Sequence, residues 1–233
     1  MCGRYASARS VDDITGAFGI ASGDVDDDLP AADWNVAPTK TVPAVVARDG
    51  RPVLTPLRWG LVPAWSTSPT AGATLFNARI ETVTEKASFR DAVRRRRCLL
   101  PADGWYEWAR LPDGRRIPHF LSAADGSLVA LAGVWESWTD AEGRELRSTA
   151  ILTGAAPADL SAVHDRAPVV VPPEEWEAWL DPGTPEVVVR GLLRPTPADT
   201  IRVWPVGDGV GDVRANGPDL AAPVAVDEQP ALF

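Results

Sequence analysis

The first chemistry in this chain sits at its second residue. MCGRYA places Cys2, one of only two cysteines, directly behind Met1. Removal of Met1 is expected because the residue after it is small. Cys2 would then carry an α-amine with a pKa of about 7.7–8.0 beside a thiol of about 8.5, both partly nucleophilic near neutral pH. An amine attacks an aldehyde to give an imine, as lysines do with carbonyl substrates. The thiol on the same residue can close on the imine carbon as a five-membered thiazolidine, a durable trap for an aldehyde. A chance cysteine at a frayed terminus would show the same letters, so Cys2 alone does not single out this chemistry.

Three other segments carry groups that could assist. FNARIET sets an amide, Asn77, and a guanidinium, Arg79, on alternate positions, hence on one face of an extended segment. DGWYEW puts the Glu107 carboxylate between two aromatics, where desolvation would raise its pKa toward the range useful for proton transfer. AVHDRAPVVV offers His164, one of two histidines, at a helix end that turns into an apolar strand. Each also has an ordinary structural reading: a strand amide bonded to backbone, a rim carboxylate, a capping histidine. The other histidine, His119, follows a basic turn beside Pro118 and reads as surface.

The elements that must hold these groups are mostly short strands. SVDDITGAF reads as a helix with Ser10 and Asp13 as a capping box and Val11, Ile14 and Phe18 on one face. The stretch 35–65 reads as strands joined by turns, with Asp49-Gly50 marking a hairpin. Ser88 is expected to cap a helix over FRDAVRRRRC whose arginines fan outward. CLLPADGWYEW, SLVALAGVWESW, RSTAILTGAA and RVWPVGD read as strands. PADLSAVHDR and PPEEWEAWL read as helices, the second with Trp176, Trp179 and Leu180 on one face. Regular strand–helix alternation is missing, which argues against a doubly wound parallel sheet. The expectation is one α+β domain over residues 1–220, built around a highly curved, mainly antiparallel or mixed β-sheet with short flanking helices, and a tail over 221–233. Of the ten tryptophans most should be packing residues, with a stacking role for one or two.

The totals narrow the setting more than the chemistry. At 233 residues with 45% hydrophobic and 24% charged residues, the chain can bury a sizeable core. No run approaches the length of a membrane span, and the beginning of the chain does not read as a secretory signal. Two cysteines make no disulfide framework, which fits a reducing cytoplasm. Two histidines and two distant cysteines give no metal-ligand spacing, and no cofactor is implied. The formal net charge is −9, yet residues 58–120 carry 11 basic and 6 acidic groups. That asymmetry points to one local anion-binding face; equally, Arg94–Arg97 could be only the solvated side of a helix.

Taken together, MCGR at the start, NVAPT, RWGLVPAW, FNARIET, CLLPADGWYEW, ILT, HDRAPVVV, WPV and DVRANGPDL occur in this order, and from residue 2 to about 220 the chain resembles the SRAP (SOS response-associated peptidase) family. Members of that family process abasic sites in DNA. The resemblance implies a single α+β domain with a highly curved sheet, no metal, and a terminal cysteine that cross-links to the ring-opened aldehyde of an abasic site in single-stranded DNA as a stable thiazolidine. It makes Cys2 the nucleophile and gives Asn77 the positioning of the terminal amine or sugar. Glu107 becomes the general acid/base of imine formation and ring closure. His164 becomes the proton shuttle to the opened sugar, serving also cross-link reversal or a slower strand-cleaving lyase reaction. Arg4 and Arg79 would hold the flanking phosphates, and Trp65 would stack on or wedge beside a base. Ser66 stands where members carry a second aromatic. The implied setting is the cytoplasm, at the nucleoid or replication fork.

The tail ends AVDEQPALF. Gln229 followed by Leu232 and Phe233 resembles the short peptide by which bacterial repair proteins dock into the sliding clamp; two apolar residues anchoring the chain end to the core is the alternative. Two rival functions remain at this stage: an N-terminal-nucleophile cysteine peptidase, which the family's label keeps open, and a non-covalent single-strand-binding module. A monomer is expected.

Overall fold

The computed structural model describes residues 2–224. β1 (Tyr5–Ser7) follows the Cys2 segment, and Ser10 then starts α1 (Val11–Phe18) with the expected reciprocal bonds between Ser10 and Asp13. β2 (Asp33–Val36), β3 (Thr41–Arg48) and β4 (Arg51–Trp59) come next. Asp49 and Gly50 both take positive φ, 51° and 76°, so the two-residue turn twists with the strands it joins. β5 (Asn77–Arg79) precedes α2 (Arg90–Arg95), and a run of longer strands follows: β6 (Arg97–Ala102), β7 (Gly104–Arg110), β8 (Arg116–Ala123), β9 (Val129–Thr139) and β10 (Glu145–Ala155). β11 (Arg166–Pro168), α3 (Trp176–Leu180), α4 (Glu186–Leu192) and β12 (Ile201–Pro205) complete the order.

The strands form two sheets, and the α+β expectation holds. One sheet is antiparallel, in the order β12-β8-β7-β1-β2. In the other, β10-β4-β3-β6-β9 returns to β10, so curvature goes as far as a closed ring. β10 is the hub. It pairs antiparallel with β9 and β11 and parallel with β4 and β5. Its eleven residues are long enough to give one end to the ring and the other to β5 and β11.

Alternation along the ring strands feeds two cores. Val45, Leu99 and Ala132 face a core shared with α1–α4, among them Ile14, Val93, Trp179 and Val189. Val42, Val46, Leu100 and Leu131 face the other sheet and pack with Cys2, Tyr5, Trp105 and Leu121. The candidate site lies in this second core, where the sheets meet.

Several local expectations are corrected. α2 is capped by Phe89 with no side-chain bond, because the turn begins on the Lys86 carbonyl, which accepts from the Phe89 and Arg90 N–H groups; Ser88 does not cap it. Residues 157–164 form short turns instead of a helix, since Ala155 and Arg166 are paired neighbours and the chain must reverse between them. The arginine run does not fan outward as a whole. Arg97 is buried and its guanidinium donates to the carbonyls of Val93, Arg94, Trp179 and Asp181. Arg96 pairs with Glu136 at 2.6 Å, and of the four only Arg94 and Arg95 are exposed. His119 is not on the surface either. It lies on β8, between β7 and β12, and its Nδ1 is 3.0 Å from the Ile117 carbonyl.

Candidate active site

Cys2 is wholly buried although it stands at the second position of the chain. Two independent elements hold it. On one side β1 runs antiparallel to β7, and the Tyr106 N–H donates to the Arg4 carbonyl at 2.9 Å, drawing the Cys2–Arg4 segment along Glu107. On the other side Asn77, from β5, donates its Nδ2 to the Cys2 carbonyl at 2.7 Å. Asn77 Oδ1 is also buried and has no hydrogen-bond partner among the described residues. Burial pushes the Cys2 thiol well above its ordinary pKa, and the charge of Glu107 pushes it in the same direction. A thiol so placed stays protonated and slow to oxidise.

Glu107 is 4% exposed on β7. Strand alternation sets it on the face of Trp105, toward Cys2, and sends Tyr106 to the opposite face, into the core with Phe120. Its desolvation therefore comes from the junction of the sheets; the neighbouring Tyr106 in the sequence faces away. Burial raises the carboxyl to about 7, against the pull of the positive charge at the chain's amino terminus. At that value it can give and take a proton near neutrality.

His164 approaches from the turn between β10 and β11. Its Nδ1 lies 2.9 Å from the Arg166 backbone N and 2.9 Å from Asp165 Oδ1. The two contacts serve different protonation states. A lone pair on Nδ1 accepts the Arg166 N–H, whereas a protonated Nδ1 donates to Asp165. Burial lowers the His164 pKa first, the amino-terminal charge lowers it further, and Asp165 opposes both, so the neutral ring prevails near pH 7. Glu107, His164 and the Cys2 segment thus share one electrostatic environment, although Glu107 and His164 are 57 positions apart in sequence.

The residues with expected DNA contacts lie on the same strands or on loops leaving them. Arg79 is exposed, two positions beyond Asn77 on β5, with no ion pair among the described residues. Arg4 is half-buried, and its Nη1 donates to Asn35 Oδ1 at 2.8 Å and to the Val210 carbonyl at 2.7 Å, both neutral acceptors that orient the guanidinium without neutralising it. Trp65 is 67% exposed. Its loop is pinned at both sides: Trp138 Nε1 donates to the Ser66 carbonyl at 2.6 Å, and the Val62 N–H donates to Ser148 Oγ at 2.8 Å. The backbones of Gly60 and Gly72 also meet there, so closely that a Cβ on either would stand 2.3 Å from the other's carbonyl oxygen.

Three contributors escape a reading of isolated letters. Asn35, fully buried in NVAPT, anchors Arg4 and is itself bonded to the Val210, Asp212 and Ala215 carbonyls of the closing segment. Asp165 and Arg166 frame His164. Their only sequence signal is membership of the recurring motifs. A cavity of about 550 Å³ between Phe18, Ala47, Arg51 and Trp176 contains none of these residues. Gln229, Leu232 and Phe233 lie outside the described residues.

The chain is thus an α+β protein of two curved sheets that buries its second residue against the Asn77 amide, in the electrostatic field of a carboxyl raised to about 7. The family is the one whose model, SOS response associated peptidase (SRAP), matches residues 1–213, and the chain belongs to it. It is 35% identical over 225 residues to abasic site processing protein YoqW of Bacillus subtilis, covering 94% of this chain and 98% of that one. It is 31% identical over 234 residues to abasic site processing protein YedK of Escherichia coli, covering 96% and 100%. Among solved structures, a Bacteroides thetaiotaomicron protein shares the fold with a TM-score of 0.83 at 22% identity, covering 96% of this chain and 100% of that one.

Proposed function

We propose that this chain processes abasic sites in single-stranded DNA by cross-linking itself to the ring-opened sugar through Cys2. The observation that carries this reading is the anchoring of Cys2 between two sheets, with the Asn77 amide on its carbonyl and Glu107 acting on its thiol. The names of the relatives YoqW and YedK agree with it.

Once Met1 is removed, the Cys2 amine is the first nucleophile, because the thiol is held protonated. The amine adds to the sugar aldehyde, and the acceptor Asn77 Oδ1 supports its orientation. Glu107 in its acid form protonates the departing hydroxyl, water leaves, and an imine remains. The thiol then adds to the imine carbon. Its proton passes to the Glu107 carboxylate while the imine nitrogen takes one up. The balance is amine plus thiol plus aldehyde giving thiazolidine plus water. His164 shuttles protons to the opened sugar, and in the reverse direction serves release or a slow lyase reaction. Arg4 and Arg79 hold phosphates flanking the lesion and Trp65 stacks on a neighbouring base. Such a substrate sets the reaction in the cytoplasm beside replicating DNA, carried out by a monomer. Docking of Gln229, Leu232 and Phe233 into the sliding clamp is tested by competition with an EQPALF peptide.

The test is a denaturing gel after incubation with single-stranded DNA bearing one abasic site. A covalent band is expected with the trimmed protein and none with Cys2→Ser or with residues left ahead of Cys2. A binding module gives no covalent band with any variant, and a peptidase is indifferent to the lesion. Absence of the band from protein with a verified Cys2 terminus would overturn the reading.

A further inference from the structure

Arg166 stands where the segment of Asn77 and the turn of His164 meet. Its guanidinium forks onto Glu81, Nη1 to Oε1 at 2.6 Å and Nη2 to Oε2 at 2.9 Å. Nη2 also donates to the Thr153 carbonyl at 2.6 Å, and that same oxygen accepts the Ile80 N–H at 3.0 Å, which extends β5 along β10. The backbone N–H of Arg166 meanwhile donates to His164 Nδ1 at 2.9 Å. One residue thus touches the turn that follows β5, the hub strand, and the imidazole. The Arg166 side chain is mostly buried and that of Glu81 is half exposed, so as a plain surface ion pair this contact would contribute little to stability. Its geometric consequence is larger. A bidentate fork admits one orientation, and a donor bound at one imidazole nitrogen leaves the ring's proton to the other nitrogen.

We propose that Glu81 is a positioning residue for His164, acting through Arg166: its carboxylate fixes the guanidinium fork and thereby the backbone N–H that keeps the imidazole proton on Nε2. The charged groups acting on His164 are Asp165, Arg166 and the amino-terminal charge, with Glu107 of β7 in the field of Asp165. The Arg166 N–H favours the neutral ring and Asp165 the protonated one. Loosening the Glu81–Arg166 fork shifts the balance toward Asp165. The catalytic consequence rests on the cross-linking reading above; the tautomer itself does not.

Imidazole ¹⁵N NMR from pH 5 to 8 tests the tautomer without DNA. The chain has two histidines, so His164→Asn assigns the spectrum. The intact protein should show His164 with its proton on Nε2, and Glu81→Gln should give averaged nitrogen shifts and a higher titration midpoint. Superimposable spectra for Glu81→Gln and the parent would overturn the proposal. Glu81→Asp, which keeps the charge, should recover the parent tautomer in part, and the two variants guard against a folding failure of either. In single-turnover cross-linking, Glu81→Gln should slow the rate about tenfold, as expected for one charged hydrogen bond, and move its pH profile with no change in half-saturating DNA. In a His164→Asn background it should have no further effect; an equal loss there would also overturn the proposal. Should the parent protein form no cross-link at all, the proposed function fails while the NMR result still decides the role of Glu81.

Discussion

Asn77 and Cys2 meet across the junction of the two sheets, the amide nitrogen 2.7 Å from the Cys2 carbonyl oxygen. The bond joins β5, carried by the hub strand β10, to the segment leading into β1 of the other sheet. Asn77→Ala removes one hydrogen bond and should cost about 1 kcal/mol of stability. Cross-linking should fall further, by about tenfold to a hundredfold, because the reacting end loses its anchor. Parallel urea unfolding and single-turnover gels separate the two; equal losses in both would reduce Asn77 to a structural residue.

Glu107 makes stability depend on pH in a defined direction. Its folded pKa is raised to about 7, so the stability tied to its protonated form is complete below the unfolded value of about 4.3 and is lost as pH rises through about 7. Glu107→Gln should therefore be more stable than the parent at pH 8.5 by on the order of 2 kcal/mol and no more stable at pH 4. Urea midpoints at the two pH values read the difference. The same variant should lose the limb near pH 7 from the cross-linking profile.

The arginine run should split in two. Arg97→Met leaves four carbonyls without their donor in the interior and should destabilise by about 3 kcal/mol. Arg94→Ala and Arg95→Ala, both exposed, should stay within about 0.5 kcal/mol of the parent. Thermal unfolding of the three variants checks the contrast.

Trp65 and Trp138 should separate contact from support. Trp65→Ala changes an exposed side chain, so unfolding should be nearly unaffected while affinity for single-stranded DNA drops by about 1–3 kcal/mol. Trp138→Phe removes the bond to the Ser66 carbonyl and should weaken DNA binding less, with some loss of stability. Fluorescence anisotropy with a labelled oligonucleotide measures both. Full affinity in Trp65→Ala would remove this residue from the DNA-contacting surface.

Local regularities were legible in the letters. The Ser10–Asp13 box, the Asp49-Gly50 turn and the strand alternation that sets Trp105 and Glu107 on one face depend on contacts within a few residues, and those are written in the chain itself. The motifs also identified the family, which the match over residues 1–213 bears out. Position within a sheet was not legible. His119 reads as surface from its neighbours and is buried because β8 has a strand on either side. Arg97 reads like the three arginines before it, yet it begins β6 and reaches four carbonyls contributed by α2 and by the end of α3.

What the sequence by itself determined is a cysteine at the second position, a supply of polar partners and the short elements that carry them. What only the tertiary structure decided is their assembly: Asn77 on the Cys2 carbonyl, Glu107 buried at the junction of the sheets, His164 between two competing partners for one nitrogen. The reason is physical. Desolvation and hydrogen-bond geometry depend on distances between segments far apart in the chain, and no local pattern records them until the hub strand β10 brings those segments together.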